Sequence, residues 1–147
     1  MANLLRYKDQ PEAQSVLLYG APFTGKTHML GELAKEFNVL WIDLDNGKST
    51  LLASLPDDAL ERIEYIHLKD TPQNPCAVLT LLALFESTAP GWICEKHSAW
   101  NCLACRAEKA NAFQIDLTKL TPANNWVIVV DSGTQFAQPG LMYVCQK

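Results

Sequence analysis

An α/β fold around a mainly parallel central sheet is the class this sequence predicts, and three observations predict it. Short apolar runs at 15–19 (SVLLY), 39–43 (VLWID), 63–68 (IEYIHL) and 126–130 (WVIVV) have the length and near-continuous hydrophobicity of strands covered on both faces. The segments between them carry apolar residues at helical spacing. The first run ends in a glycine-rich turn and the last ends in an acid, as expected where parallel strands present their carboxyl ends to a ligand. Strands alternating with helices imply right-handed crossovers between parallel neighbours.

Taken in order, Ser15 to Tyr19 reads as the first buried strand. The helix after Gly25 carries Met29, Leu30, Leu33 and Phe37 at helical spacing. Val39 to Asp43 is the second strand. A short Leu-rich helix from Ser49 to Leu55 is ended by Pro56. Ile63 to Leu68 is the third strand. Asn74-Pro75 then supplies a cap and a first-turn proline for a helix with Val78, Leu81, Leu82 and Phe85 on one stripe. That helix stops before Pro90-Gly91. Residues 92 to 112 break the rhythm, and Trp126 to Val130 delivers Asp131 at the end of the most hydrophobic strand.

Size and composition set the frame. At 147 residues the chain is read as one domain over 1–147, with an inserted module at 92–112. Twelve basic residues against sixteen acidic ones give a formal charge of −4, which argues against broad, non-specific nucleic-acid binding. The N-terminus lacks a signal-peptide pattern, and no apolar run approaches the length of a membrane span. Of five cysteines, Cys94, Cys102 and Cys105 cluster while Cys76 and Cys145 are scattered. That pattern suits a local site in a reducing compartment better than a disulfide framework, so a cytoplasmic protein is expected.

GAPFTGKT, at Gly20, Ala21, Pro22, Phe23, Thr24, Gly25, Lys26 and Thr27, matches the full G-x-x-x-x-G-K-[ST] pattern. A strand before it and a helix after it complete the expected context of a P-loop. The glycines let successive N–H groups turn inward as a nest for anionic oxygens, and the helix start adds unpaired donors. Lys26 is placed to meet the β- and γ-phosphates, and Thr27 to offer its hydroxyl to Mg²⁺. His28, next along, is a candidate nucleotide flank, with packing or exposure as the plainer reading. The fold expected is then a three-layer P-loop NTPase fold with a mainly parallel central sheet.

Two acids extend the site. Asp131 is positioned to hold the water shell of the magnesium, with a solvated or helix-capping acid as the plainer reading. Ser132 follows it where many mechanical ATPases have a glutamate, so a general base has to come from another strand. Asp45 is the candidate, just beyond the carboxyl end of the second strand; Asp45-Asn46-Gly47 is also a good turn sequence in its own right. Asp43 reads equally as a partner of the loop or as a plain strand-end acid.

On LLYGAPFTGKT at 17–27, LWIDLDNG at 40–47 and WVIVVDSGTQF at 126–136, the chain resembles the RecA-like branch of P-loop ATPases. It is most similar there to the small ATPases that bacteriophages encode beside single-strand annealing and recombination functions. The resemblance implies ATP as nucleotide with Mg²⁺, Asp45 as catalytic base beside Lys26 and Asp131, and Thr134 or Gln135 as a γ-phosphate sensor. It also implies assembly into homo-oligomers, single-stranded DNA and a recombination or annealing protein as partners, and the host cell cytoplasm as location. The chain departs from the family pattern because only sixteen residues follow Asp131. That leaves a truncated portion or a reduced relative as the two expectations.

Residues 92 to 112 contain Cys94-x2-His97 and Cys102-x2-Cys105. Two close pairs of thiolate and imidazole donors, four residues apart, can converge as a tetrahedral zinc knuckle, leading into a helix near Ala104. Four filled positions would make the Zn²⁺ site structural. The alternatives are that Cys102 and Cys105 are apolar residues one helical turn apart, or that another residue such as Cys145 is the fourth ligand. Lys96, Arg106 and Lys109 with Trp100 offer a modest nucleic-acid surface, set against a partner-binding lid or a stabilising excursion. Besides the ATPase, two functions fit the sequence: a small-molecule or nucleotide kinase, and a non-hydrolysing nucleotide-binding regulator.

Overall fold

The computed structural model describes residues 15–71, 74 and 77–131. They form a mixed α/β fold around a small parallel sheet of three strands: β1 (Asn38–Asp43), β2 (Ile63–His67) and β6 (Trp126–Asp131), in the order β2-β1-β6. β1 is central because its sequence, NVLWID, is apolar on both faces, and all but its first residue are buried. The register pairs Asp43 with Asp131 on one side and with His67 on the other. Three polar side chains therefore line up at the carboxyl end of the sheet.

One face of β1, through Val39 and Trp41, packs with Ala34, Leu51, Leu55, Ala59 and Val129. The cover comes from α1 (Lys26–Gly31) with the 3-10 turn Glu32–Lys35, α2 (Lys48–Ser54) and α3 (Asp57–Leu60). The other face, through Leu40 and Ile42, packs with Ile66, Leu68, Leu81, Leu84, Ile93 and Ile115. Here the cover is α4 (Ala77–Glu86) and a second sheet. That sheet is antiparallel, ordered β4-β3-β5, from β3 (Gly91–Cys94), β4 (Ala99–Trp100) and β5 (Phe113–Ile115).

Several expectations need correction. Ser15 to Tyr19 is not a strand: it pairs with nothing among the described residues, and Val16, Leu17 and Tyr19 are largely exposed. An apolar run becomes a buried strand only where a neighbouring edge and a covering layer meet it, and the described residues supply neither here. In α1, Leu30 packs inward while Met29 is exposed. The buried stripe of α4 is Ala77, Val78, Thr80, Leu81 and Leu84, so Leu82 and Phe85 face outward. A helix apolar on every side carries no phase in its sequence. At the start of α4 as described, Asp70 accepts the Ala77 amide at 2.8 Å, and the Asn74 side chain donates to Thr80 Oγ1 and the Ser98 carbonyl; Pro75 of the expected cap lies outside the described residues. The helix expected near Ala104 is a 3-10 stretch, Leu103–Asn111, interrupted at Cys105. No helix among the described residues is long and apolar enough to cross a membrane.

Candidate phosphate-loop and metal sites

Residues 20 to 27 form a tight turn that runs into α1. Gly25 adopts φ 81° at the helix start, and a Cβ there would meet nothing within 4 Å, so backbone conformation alone favours glycine. Phe23 also has positive φ, 64°, and its ring is fully exposed. Thr24 closes the turn by donating to the Ala21 carbonyl at 2.9 Å. The Lys26 ammonium folds over the loop and donates to the carbonyls of Gly20 at 3.0 Å and Ala21 at 2.8 Å. His28 is exposed on α1.

Thr27 joins this loop to the sheet. Its hydroxyl donates to Asp131 Oδ2 at 2.8 Å, across the carboxyl end of β6. The turn after β1 closes in from the other side: a Cβ on Gly47 would lie 3.7 Å from Asp131 Oδ2 and 3.8 Å from Asp43 Oδ2. Asp43 is fully buried and accepts from the Tyr65 hydroxyl at 2.5 Å and the Asp45 amide at 2.8 Å. The structure thus brings Thr27, Asp43 and Asp131 together, with Lys26 in the adjoining loop and Asp45 on the exposed rim.

The electrostatics follow from that crowding. Burial, first, pushes the Asp131 carboxyl above its ordinary range; Asp43 and Asp45 add to the shift, against the Thr27 hydrogen bond and the Lys26 charge. Burial and the Asp43 carboxylate together raise the Tyr65 hydroxyl well above its ordinary value. Tyr65 was missed by sequence reasoning. The available signal was an amphipathic residue two positions before a strand end, which is weak. Thr134, Gln135, Ser132, Cys76 and Cys145 lie outside the described residues.

The second site is Cys94, His97, Cys102 and Cys105, all buried, with one ligand atom from each lying within 4.8 Å of every other. Cys94 ends β3, His97 sits in the hairpin turn, and Cys102 and Cys105 follow β4. His97 Nδ1 stands 3.3 Å from Cys102 Sγ, 3.4 Å from Cys105 Sγ and 3.9 Å from Cys94 Sγ. A tetrahedral zinc with ordinary bond lengths would set such N···S edges at about 3.5 Å. A single ring nitrogen cannot satisfy three thiols by hydrogen bonding, whereas one cation can satisfy all four donors.

The thiols also differ from one another. Burial pushes the Cys94 thiol up, but the His97 amide, Cys105, the Lys96 amide and Cys102 together hold it below its ordinary value. Cys105 is raised to about 11, by its hydrogen bond to Cys94 first and by burial next. Amides turned onto one sulfur are the outer support that a thiolate ligand takes. The described residues therefore contain a buried Cys3His group that could hold a metal ion such as zinc. Of the basic surface considered around it, Lys96 and Arg106 are exposed while Trp100 is half-buried.

Comparison of the chain with protein-family models, with curated proteins and with solved structures finds no match in any of the three.

Proposed function

We propose that this protein binds a nucleoside triphosphate with Mg²⁺ at the carboxyl end of its parallel sheet and hydrolyses it, as a RecA-like P-loop ATPase. The observation that carries the reading is the Thr27–Asp131 hydrogen bond, because it unites the hydroxyl of the GAPFTGKT loop with the acid of the apolar strand. In a three-layer P-loop fold these two groups face the same magnesium, one as ligand and one through its water shell. Both offer only oxygen, the donor type that Mg²⁺ takes.

In this reading Lys26 exchanges its loop carbonyls for the β- and γ-phosphates and neutralises charge there. Asp45, on the rim, orients a water for attack on the γ-phosphorus. The new P–O bond forms as the bond to the β-phosphate oxygen breaks, and the water's proton passes toward the Asp45 carboxylate. The sequence resemblance extends the proposal to ATP as nucleotide and to single-stranded DNA recombination or annealing as the setting.

The test is a product assay with ATP and Mg²⁺, with and without single-stranded DNA. Free phosphate released without an acceptor is the expected result. Phosphate transfer that requires an added acceptor would replace the ATPase with a kinase, and binding without turnover would leave a nucleotide-binding regulator. Absence of triphosphate binding would remove the P-loop reading altogether.

A further inference from the structure

We propose that Cys94, His97, Cys102 and Cys105 hold a resident zinc ion that acts beyond its own module: it fixes the chain leaving β2, which walls a cleft beside Asp45. The inference is independent of whether a nucleotide binds.

The choice of zinc follows from the donors. Three sulfurs and one imidazole suit a borderline-soft cation and exclude the oxygen-seeking Mg²⁺ and Ca²⁺. Four donors gathered within 4.8 Å of one another match the four ligands of a closed zinc site, which makes the ion structural. The ligand end of the module needs it: Ile93 and Ile115 are buried against β1, and the cluster left around the ligands is Trp92 and the three ligand cysteines, with Ala99 and Ala112 packed against them. A core that small does not hold a hairpin turn in place, and metal binding supplies the missing folding free energy.

The link to the larger sheet runs through Ser98, next to the ligand His97. Ser98 is fully buried and takes φ 49°, a left-handed conformation that a serine keeps only when its surroundings fix it. Its carbonyl accepts from Thr80 Oγ1 on α4 at 2.6 Å and from Asn74 Nδ2 at 2.7 Å. Its hydroxyl accepts the Lys69 amide at 3.1 Å, and the His97 carbonyl accepts the Thr71 hydroxyl at 3.3 Å. Lys69, Thr71 and Asn74 all belong to the connection from β2 to α4. The turn that carries one metal ligand is thus also the acceptor for that connection.

That connection faces the candidate catalytic rim. Leu68, Lys69 and Asp70 line the same cleft as Leu44, Asp45 and Asn46. A buried polar network of this kind holds one geometry when complete and loosens when a member shifts. Loss of zinc would free the His97–Ser98 turn and, through it, the part of the cleft lining that Lys69 and Asp70 supply beside Asp45.

The experiment begins with protein purified natively under reducing conditions without added metal. Elemental analysis is expected to find about one zinc per chain. Hydrogen exchange is then compared before and after zinc removal by a chelator. The Lys69 and Asn74 amides are expected to exchange at least tenfold faster after removal, while the central amides of β1 keep their protection. Absence of bound metal, or unchanged exchange at Lys69 and Asn74 after its removal, overturns the proposal. Should the zinc-free chain unfold as a whole, Ser98→Ala at full zinc occupancy decides, because it removes the hydroxyl that ties the ligand-bearing turn to Lys69. It keeps every ligand, so cobalt substitution should give an unaltered tetrahedral spectrum. Faster exchange at Lys69 is expected, and wild-type exchange there overturns the coupling.

Discussion

Thr27 and Asp131 stand 104 positions apart in the chain and meet through a hydrogen bond of 2.8 Å. The bond holds a carboxylate whose proton affinity is raised by burial and by Asp43 and Asp45. A carboxyl raised in the fold makes the protein progressively less stable as pH climbs from its unfolded value of 3.8 through the raised one. Asp131→Asn keeps an oxygen for Thr27 and removes the charge. Without magnesium the variant should therefore melt at or above the wild-type Tm at neutral pH, and should lose the wild type's decline across the acidic range. With Mg²⁺ and nucleotide the order should reverse. Wild type gains about 2.7 kcal/mol at a hundred times Kd, and the variant gains little of it. Melting curves over pH, with and without both ligands, check each half.

Much of this geometry was legible in the sequence, for specific reasons. VLWID, IEYIHL and WVIVV became strands because each finds a neighbouring edge and cover on both faces. SVLLY is comparably apolar and has no such neighbour among the described residues, and composition cannot report on neighbours. The gathering of Cys94, His97, Cys102 and Cys105 was legible because donors able to hold a metal come as two close pairs in the sequence. Tyr65, Ser98, Thr80 and Asn74 were not, because each acts through a partner distant in sequence, and nothing in a single chain marks that pairing. The stripe of α4 failed for a third reason: with Leu79, Leu82 and Phe85 as apolar as Leu81 and Leu84, hydrophobicity sets no phase.

Lys26→Ala should separate loop stability from phosphate binding. Among the described residues its ammonium bonds to the loop's own exposed groups, at Gly20, Ala21 and Thr24. Contacts of that exposure contribute little to folding, so Tm should move by no more than a few degrees. Triphosphate affinity should fall at least tenfold, because a charge-assisted contact contributes about 1.5–3 kcal/mol. Calorimetric titration with a non-hydrolysable triphosphate reads this directly, and unchanged affinity would rule out the loop as the binding site.

Asp45→Asn tests the proposed base. The residue is exposed, and its amide, which the substitution keeps, donates to Asp43. Folding and nucleotide affinity should stay near wild type, while turnover falls by about a hundredfold or more, the usual share of a positioned base. Steady-state phosphate release beside a binding titration makes the distinction. Turnover at the wild-type rate would assign the water to another group.

Tyr65→Phe tests the support beneath that rim. The variant leaves the buried Asp43 carboxylate with the Asp45 amide and without its hydroxyl donor, at a cost of about 2 kcal/mol at neutral pH. The sign of the pH dependence follows from the raised Tyr65 hydroxyl. Its contribution is complete below the unfolded tyrosine value of about 10 and is lost as pH rises through the folded value. The stability gap between wild type and variant should therefore be constant near neutrality and narrow in strong alkali. Urea unfolding across that range measures the gap, and tyrosinate absorbance should show one tyrosine ionising late.

Gly91→Ala bears on how the metal module is braced. A Cβ at Gly91 would fall 2.1 Å from Trp100 Cζ2 and 2.4 Å from Cη2, inside the indole ring that lies against β3. The ring is flat and half-buried, so it must swing away or the strand must retreat. Either movement disturbs the β3–β4 pairing that carries Cys94 toward His97. Overpacking of this sort costs about 1–3 kcal/mol, and the loss should appear in metal retention as well as in stability. Competition with a zinc indicator should show faster release from the variant than from wild type. Gly47→Ala is the matching control. Its Cβ would meet nothing nearer than 3.7 Å, at a φ of −76° that alanine adopts freely, so both zinc release and unfolding should stay close to wild type.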